Sequence, residues 1–164
     1  MTPQLIAGEL PGTYLLSDAV TDQQLMELAQ RMAKRRLRKG RLVDKPDAVF
    51  NALKTLMMAY QHEIFGMLML DNRHRIIEFK ELFRGTIDSA SVYPREIIKE
   101  VLTHNAAAVI LVHNHPSGDP EPSVADRSIT ERIQKALSTI EVRLLDHVIV
   151  GSEGTCSFAE RGLL

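Results

Sequence analysis

The stretch AAAVILVHNHPSGDPEPSVAD, residues 106–126, decides the fold and leads directly to a group of polar side chains. Its first seven residues are apolar, which predicts a buried β-strand over 106–112. Because side chains alternate along a strand, His113 and His115 project to one side at the strand end while Asn114 points to the other. The end of a buried strand holds such side chains stiffly, as two ligands of one metal ion require.

The loop and helix that follow add a third candidate ligand. Segment 116–122 contains Pro and Gly and predicts a sharp turn, and residues 123–137 predict a helix. A loop this short returns the first turn of the helix to the strand end, where Asp126 offers a carboxylate. Two imidazoles, one carboxylate and a water form the open arrangement of a catalytic zinc site. The alternative for His113 and His115 is a pair of histidines satisfied by other polar groups.

Two further residues are candidates for catalysis. Glu63 begins the apolar segment EIFGMLML, residues 63–70, which predicts the first strand of a buried hairpin, and it is the candidate general base. Ser123, three residues before Asp126, is the candidate for stabilising an oxyanion. Each has a structural alternative. Glu63 is then a charged strand terminus, and Ser123 and Asp126 form a capping box at the start of the helix.

Apolar spacing predicts the remaining elements. We expect an α/β (α+β) fold with a central mixed β-sheet flanked by helices, preceded by an N-terminal helical arm. Asp146 and His147 are adjacent on a predicted strand, so they point to opposite faces and are assigned structural roles. The other predicted helices run from Thr21 or Asp22 to Gly40, over 47–60 and from Pro94, and the other strands cover 75–79, 144–150 and 155–158.

Charge is distributed unevenly along the chain. The formal net charge is -1, so no global basic field steers the protein onto nucleic acid. Residues 31–45 nevertheless carry eight basic side chains against one acidic one. This shift predicts a boundary between an N-terminal arm, residues 1–44, and a domain over residues 45–164. The candidate phosphate contacts on the arm are Arg31, Lys34, Arg35 and Arg38, and the alternative is a solvated helix face.

Composition excludes several classes of protein. The single cysteine, Cys156, excludes an internal disulfide framework and zinc sites that need two thiolates, including that of the zinc deaminases. Residues 1–10 carry no signal-peptide pattern, and no stretch approaches 18 uninterrupted apolar residues. We therefore expect a cytoplasmic protein that does not enter a membrane.

The residues around the two histidines resemble the signature of the RadC family, a branch of the JAMM or MPN+ metallopeptidase-like domain. The resemblance covers residues 45–164. The matching stretches are VHNHPSGDPEPSVAD from Val112, EIFGMLMLDNRHRIIEF from Glu63, FRGTIDSASVYPREIIKEVLTHNAAAVILV from Phe83 and LLDHVIVG from Leu144.

This resemblance implies a JAMM/MPN-like fold of cytidine-deaminase-like architecture. It implies a zinc ion held by His113, His115 and Asp126, with Glu63 as general acid/base and Ser123 supporting the oxyanion. The implied reaction is hydrolysis of a peptide or isopeptide-like amide bond in a peptide or protein substrate. A shift in register would put Glu78 or Glu81 in the place of Glu63.

A second reading of the resemblance is a DNA-repair-associated accessory protein. Its metal site would be structural or vestigial, and residues 31–45 would contact nucleic acid. Longer RadC-like proteins carry an N-terminal helix-hairpin-helix region, and the residues before the match contain no obvious Gly-rich hairpin of that kind.

Overall fold

The computed structural model describes residues 5–85 and 91–164. Residues 1–4 of the predicted arm, and residues 86–90 within the stretch quoted from Phe83, lie outside the described part. The elements in chain order are β1 (Leu5–Ala7), β2 (Tyr14–Leu16), α1 (Asp22–Arg36), α2 (Pro46–Met57), β3 (Ile64–Leu70), β4 (Ile76–Arg84), α3 (Pro94–Thr103), β5 (Ala108–Asn114), α4 (Val124–Thr139), β6 (Arg143–Gly151) and β7 (Gly154–Ser157).

A five-stranded mixed sheet forms the centre of the molecule, in the order β4-β3-β5-β6-β7. All neighbours are antiparallel except β5 and β6, which are parallel and are joined by α4. A parallel pair needs such a crossover, and it brings the carboxyl ends of both strands to the same edge of the sheet. The predicted mixed sheet is confirmed.

Helices cover both faces of this sheet. α1 and α2 pack on the face that contains Leu68, Ile110 and Val112. α3 and α4 pack on the opposite face, which contains Met67 and Leu111. β3 and β5 are buried on both faces, which explains why their sequences are continuously apolar.

α1 begins where the sequence predicts but ends earlier. Thr21 caps it through a capping box with Gln24, and its buried Ala33 and the adjoining Leu37 join the core formed with α2. The predicted end at Gly40 is wrong. The helix stops at Arg36, because the Gly40 N–H donates to the carbonyl of Ile76 at 2.7 Å and the chain there runs beside the start of β4.

Two further differences concern strands. The short hairpin of β1 and β2 was not predicted, since three-residue strands are too short to show a period. β5 extends through His113 and Asn114, because both residues still pair with β6. His113 therefore lies within the strand.

Within the described residues, no helix has the length and apolar character needed to span a bilayer.

Candidate metal centre

His113 and His115 stand at the carboxyl end of β5, held between two neighbouring strands. His113 lies opposite Phe65 of β3 and Ile149 of β6, and its side chain is 1% exposed. His115 follows the strand, and its N–H donates to the carbonyl of Val150 at 2.8 Å. The backbone that carries both imidazoles is therefore fixed by hydrogen bonds.

The first turn of α4 brings Asp126 to the two histidines. The Nε2 atoms of His113 and His115 are 3.0 Å apart. The Asp126 carboxylate lies 3.2 Å from His113 Nε2 through Oδ1 and 3.3 Å from His115 Nε2 through Oδ2. These three residues form a group whose ligand atoms can converge on one metal ion.

These separations are close to those around a tetrahedral metal ion, although the two short Asp126 contacts use different carboxylate oxygens. Ligand atoms about 2.0–2.1 Å from a tetrahedral zinc ion lie about 3.3–3.4 Å from one another. His115 supports the same conclusion, because its Nδ1 lies 2.8 Å from the carbonyl of Asp119, which can only accept. In the neutral ring the proton is therefore on Nδ1, and Nε2 presents a lone pair to the Asp126 carboxylate. Two acceptors this close need either a proton on His115 Nε2 or a metal cation between them.

Electrostatics of the group agree with this geometry. Burial by itself would raise the pKa of Asp126, but the contacts with the His113 and His115 imidazoles and the hydrogen bond from Ser123 hold that pKa well below its usual range. The hydrogen bond to Asp126 raises the pKa of His115 against the opposing effect of burial, and the charge of Glu63 contributes in the same direction. The site thus stabilises a carboxylate next to positive charge.

Ser123 is the N-cap of α4. Its hydroxyl accepts from the Asp126 N–H at 3.1 Å and donates to Asp126 Oδ2 at 2.7 Å, and its own N–H donates to the same oxygen at 2.7 Å. The capping box foreseen as the structural alternative is therefore present, and it orients the carboxylate. The catalytic role of Ser123 stays a prediction.

Strand register separates the three candidate glutamates. Phe65 of β3 pairs with His113, so continuing this antiparallel register places Glu63 opposite His115. Glu81 pairs with Gly66 on the other face of the sheet, where it contacts the hydroxyl of Tyr60. Glu63 therefore stands on the same face as the histidines, and Glu81 does not.

Glu78 stands on the correct face but at the far end of the sheet. It pairs with Met69, four residues or about 13 Å along β3 from Phe65. Its carboxylate lies 2.7 Å from His104 of the loop after α3. The role of Glu63 as base stays a prediction, and this arrangement leaves Glu63 as the glutamate beside the site.

Asn114 fixes the segment that carries Glu63. It points to the face opposite the histidines, and its Oδ1 accepts from the Ile64 N–H at 2.7 Å while its Nδ2 donates to the His62 carbonyl at 3.0 Å. These two bonds hold the residues on either side of Glu63. The buried amide therefore ties the start of β3 to the end of β5.

Sequence reasoning missed the contact that His147 makes with the site. His147 is fully buried on β6, and its Nε2 lies 2.8 Å from His113 Nδ1, while its Nδ1 lies 2.6 Å from the hydroxyl of Thr130 on α4. Burial lowers the pKa of His147 well below its ordinary value, so the ring is neutral. The rings of Phe65 and Phe158 contact it, with centroids 5.4 and 4.7 Å away. The available signal was a polar residue inside an apolar strand that runs parallel to β5.

Asp146 has the structural role assigned to it. Its carboxylate accepts from the N–H groups of His147 and Ala159 and from the Ser157 hydroxyl, at 2.7, 3.0 and 2.6 Å. It joins the end of β7 to β6.

The basic residues of the arm lie away from this centre. Arg31, Lys34 and Arg35 are exposed on α1, and Arg38 is exposed just beyond it. Across residues 5–85 and 91–164, no ion pair involves any of these four side chains. Lys34 and Arg35 stand in the last turn of α1, where positive charge stabilises the helix.

Comparison with known proteins agrees with the fold and with the His-His-Asp group. A family model described as the RadC-like JAB domain matches residues 43–163. The chain belongs to this family. Its fold is accordingly that of a JAB/MPN-like domain, which relates it to the JAMM proteins.

Several proteins named UPF0758 are similar to this chain over most of its length. The chain is 54% identical over 151 residues to a UPF0758 protein of Vibrio cholerae, covering 92% of this chain and 95% of that protein. It is 53% identical over 142 residues to a UPF0758 protein of Nitrosococcus oceani, and 54% identical over 140 residues to one of Shewanella baltica. These two matches cover 87% and 85% of this chain but 63% and 62% of those longer proteins.

Proposed function

We propose that this protein is a zinc-dependent hydrolase of the JAMM type that cleaves a peptide or isopeptide-like amide bond. The observation that carries the proposal is the convergence of His113, His115 and Asp126, with their ligand atoms 3.0 to 3.3 Å apart. Three protein ligands leave a fourth position open, as in catalytic zinc sites. Membership of the RadC-like JAB domain family supports the same assignment.

The chain's own residues supply the proton transfers and the orientation. When bound, zinc supplies a Lewis acid that polarises a carbonyl and lowers the pKa of water to about 7. Glu63 accepts a proton from the attacking water at its carboxylate and donates it to the leaving amine nitrogen. The Ser123 hydroxyl, whose hydrogen points to Asp126 Oδ2 in the resting site, rotates that hydrogen to the oxyanion as it develops, while the Ser123 N–H continues to hold Asp126 Oδ2.

Metal content tests the first part of this proposal. We expect elemental analysis of the purified, tag-free protein to find near-stoichiometric zinc, and the His113→Ala/His115→Ala double variant to contain none. A wild-type protein without metal, even after incubation with zinc, would overturn the assignment.

Hydrolysis tests the second part. Quenched fluorescent peptides and lysine ε-amino isopeptides are suitable substrates for a screen of the zinc-loaded protein. On any substrate found, Glu63→Gln should lower kcat by at least about 10²-fold while zinc stays bound, because it removes the proton acceptor. Glu78→Gln and Glu81→Gln are matched controls and should keep kcat within a few-fold of wild type. Equal loss in all three variants would contradict the role of Glu63.

A second candidate function is nucleic-acid binding by the arm. The exposed cations Arg31, Lys34, Arg35 and Arg38, which form no ion pair with any other described residue, favour it, because such side chains bind phosphates and release counterions. Titration with duplex, forked and single-stranded DNA at two salt concentrations tests this candidate. Affinity should fall steeply with salt, and the absence of binding at low salt would exclude the arm as a DNA-binding element.

A further inference from the structure

Three hydrogen bonds in a row connect the first candidate ligand to the backbone of the third. His113 Nδ1 lies 2.8 Å from His147 Nε2, and His147 Nδ1 lies 2.6 Å from Thr130 Oγ1. The Thr130 hydroxyl in turn lies 2.6 Å from the carbonyl oxygen of Asp126, one helical turn earlier in α4. The row therefore starts and ends at the metal centre.

The direction of each bond follows from the Asp126 carbonyl, which can only accept. The single hydrogen of the Thr130 hydroxyl points to that carbonyl, so the hydroxyl oxygen accepts from the Nδ1–H of His147. The His147 ring is completely buried, and among the described residues its nitrogens contact only His113 and Thr130, so no carboxylate balances a second ring proton. With its one proton on Nδ1, its Nε2 is a lone pair and accepts from the Nδ1–H of His113. The Nε2 atom of His113 is then a lone pair that faces His115 and Asp126.

The opposite tautomer of His113 would not bind a metal ion. With its proton on Nε2, His113 would direct an N–H into the space between His115 and Asp126 and would present no lone pair there. Thr130 and His147 therefore select which nitrogen of His113 is available, although neither residue touches that space.

Burial indicates that this selection is more than packing. His147 is completely buried and Thr130 is 2% exposed, and the rings of Phe65 and Phe158 contact the imidazole. Apolar side chains would fill the same space without the cost of desolvating three polar atoms. The polar pair is best explained by what it does to His113.

We propose that Thr130 and His147 are positioning residues that hold His113 in the Nδ1–H tautomer, so that its Nε2 is presented to the metal ion. This inference deepens the proposed function, because it assigns the origin of ligand orientation in the same site. Hydrogen-bond partners of ligating histidines commonly change metal affinity by about 10- to 100-fold.

Thr130→Val and Thr130→Ser form the decisive pair of variants. Valine keeps the shape of threonine but cannot accept from His147, so the His147 proton moves to Nε2, where it donates to His113 Nδ1 and leaves the His113 proton on Nε2. Serine keeps the hydroxyl. Thr139→Val, on the same helix, is the matched control, because the Thr139 hydroxyl also donates to the carbonyl four residues earlier but has no histidine attached.

Two measurements are made on these proteins. Zinc dissociation constants come from competition with a chelator, and long-range proton–nitrogen NMR spectra of the metal-free proteins report the tautomer of His113. Thr130→Val should weaken zinc binding by about 10- to 100-fold and convert His113 to the Nε2–H form, whereas Thr130→Ser and Thr139→Val should resemble wild type.

Each outcome separates this inference from the proposed function. Unchanged zinc binding in Thr130→Val would overturn the positioning role of Thr130 and His147 while leaving the hydrolase proposal intact. A wild-type His113 with its proton on Nε2 would do the same. A wild-type protein that binds no zinc would overturn the hydrolase proposal, and the NMR spectrum would still decide the tautomer. The wild-type spectrum needs no variant, so a Thr130→Val protein that fails to fold leaves the test in place.

Discussion

His115 connects the candidate metal centre to pH through a single side chain. The Asp126 hydrogen bond raises the pKa of His115, and the histidine contacts hold the pKa of Asp126 low against burial. Without metal, the His115 contribution to stability is complete below its unfolded pKa of about 6.5 and is lost as pH rises through its folded pKa. The Asp126 contribution is present above its unfolded pKa of about 3.9 and is lost as pH falls through its folded pKa.

Zinc affinity should increase with pH, whereas the stability that His115 contributes to the metal-free protein decreases with pH. A metal ion must displace the His115 proton, so below the pKa of His115 affinity should weaken by up to about tenfold for each pH unit. Zinc dissociation constants measured between about pH 5.5 and about pH 8, corrected for the pH dependence of the competing chelator, check this. A constant affinity over that range would contradict the assignment of His115 as a ligand.

At the scale of elements, the loop between β5 and α4 is held against the end of β6. The Gly118 N–H donates to the His115 carbonyl at 3.0 Å, and the Gly118 carbonyl accepts from the Glu153 N–H at 3.1 Å. Gly151 lies against this carbonyl, and a Cβ added to Gly151 would overlap the Gly118 carbonyl oxygen. The loop also contains Asp119, whose carbonyl orients His115. The absence of a side chain at Gly151 on β6 thus leaves space for the loop whose Asp119 carbonyl orients His115.

Gly151→Ala should therefore weaken the site as well as the fold. Displacement of the loop should cost about 1–3 kcal/mol of unfolding free energy and reduce zinc affinity. Gly162→Ala is the control, because Gly162 has a φ of 65° but nothing near its side-chain position. It should lower stability through backbone strain alone, without changing zinc affinity. Chemical denaturation and chelator competition on both variants distinguish the two effects, and equal zinc affinities would contradict this role of Gly151.

At the scale of the whole molecule, the candidate ligands join two layers of the fold. His113 belongs to the sheet, His115 directly follows β5, and Asp126 belongs to the first turn of the helix that covers the sheet. A metal ion bound to all three would link the layers in the folded state only. Its binding energy is then added to the stability of the native protein.

Removal of metal should accordingly lower the melting temperature. When the free zinc concentration is about a thousandfold above the dissociation constant, the bound ion adds about 4 kcal/mol to the free energy of unfolding. For a chain of this length that corresponds to about 8–16 °C in Tm. Thermal unfolding with and without chelator measures the shift, and the His113→Ala/His115→Ala variant should show none. The same shift in that variant would mean that zinc binds elsewhere.

The sequence by itself determined the features that depend on neighbouring residues. Alternation along the strand puts His113 and His115 on one side, and the three-residue spacing of Ser123 and Asp126 brings their side chains together in the first helical turn. Most helices and strands were predicted for the same reason, since their periods are visible within one segment. The fold class and the three candidate ligands could therefore be named without coordinates.

Only the tertiary structure decided the features that depend on how distant segments pair. Register between β3, β4 and β5 places Glu63 beside His115 and puts Glu78 and Glu81 elsewhere, and a one-residue slip would have reversed the faces. His147 lies 34 residues from His113, and their contact exists because β6 runs parallel to β5. No local period encodes such pairings, because register and crossover depend on the packing of the complete sheet.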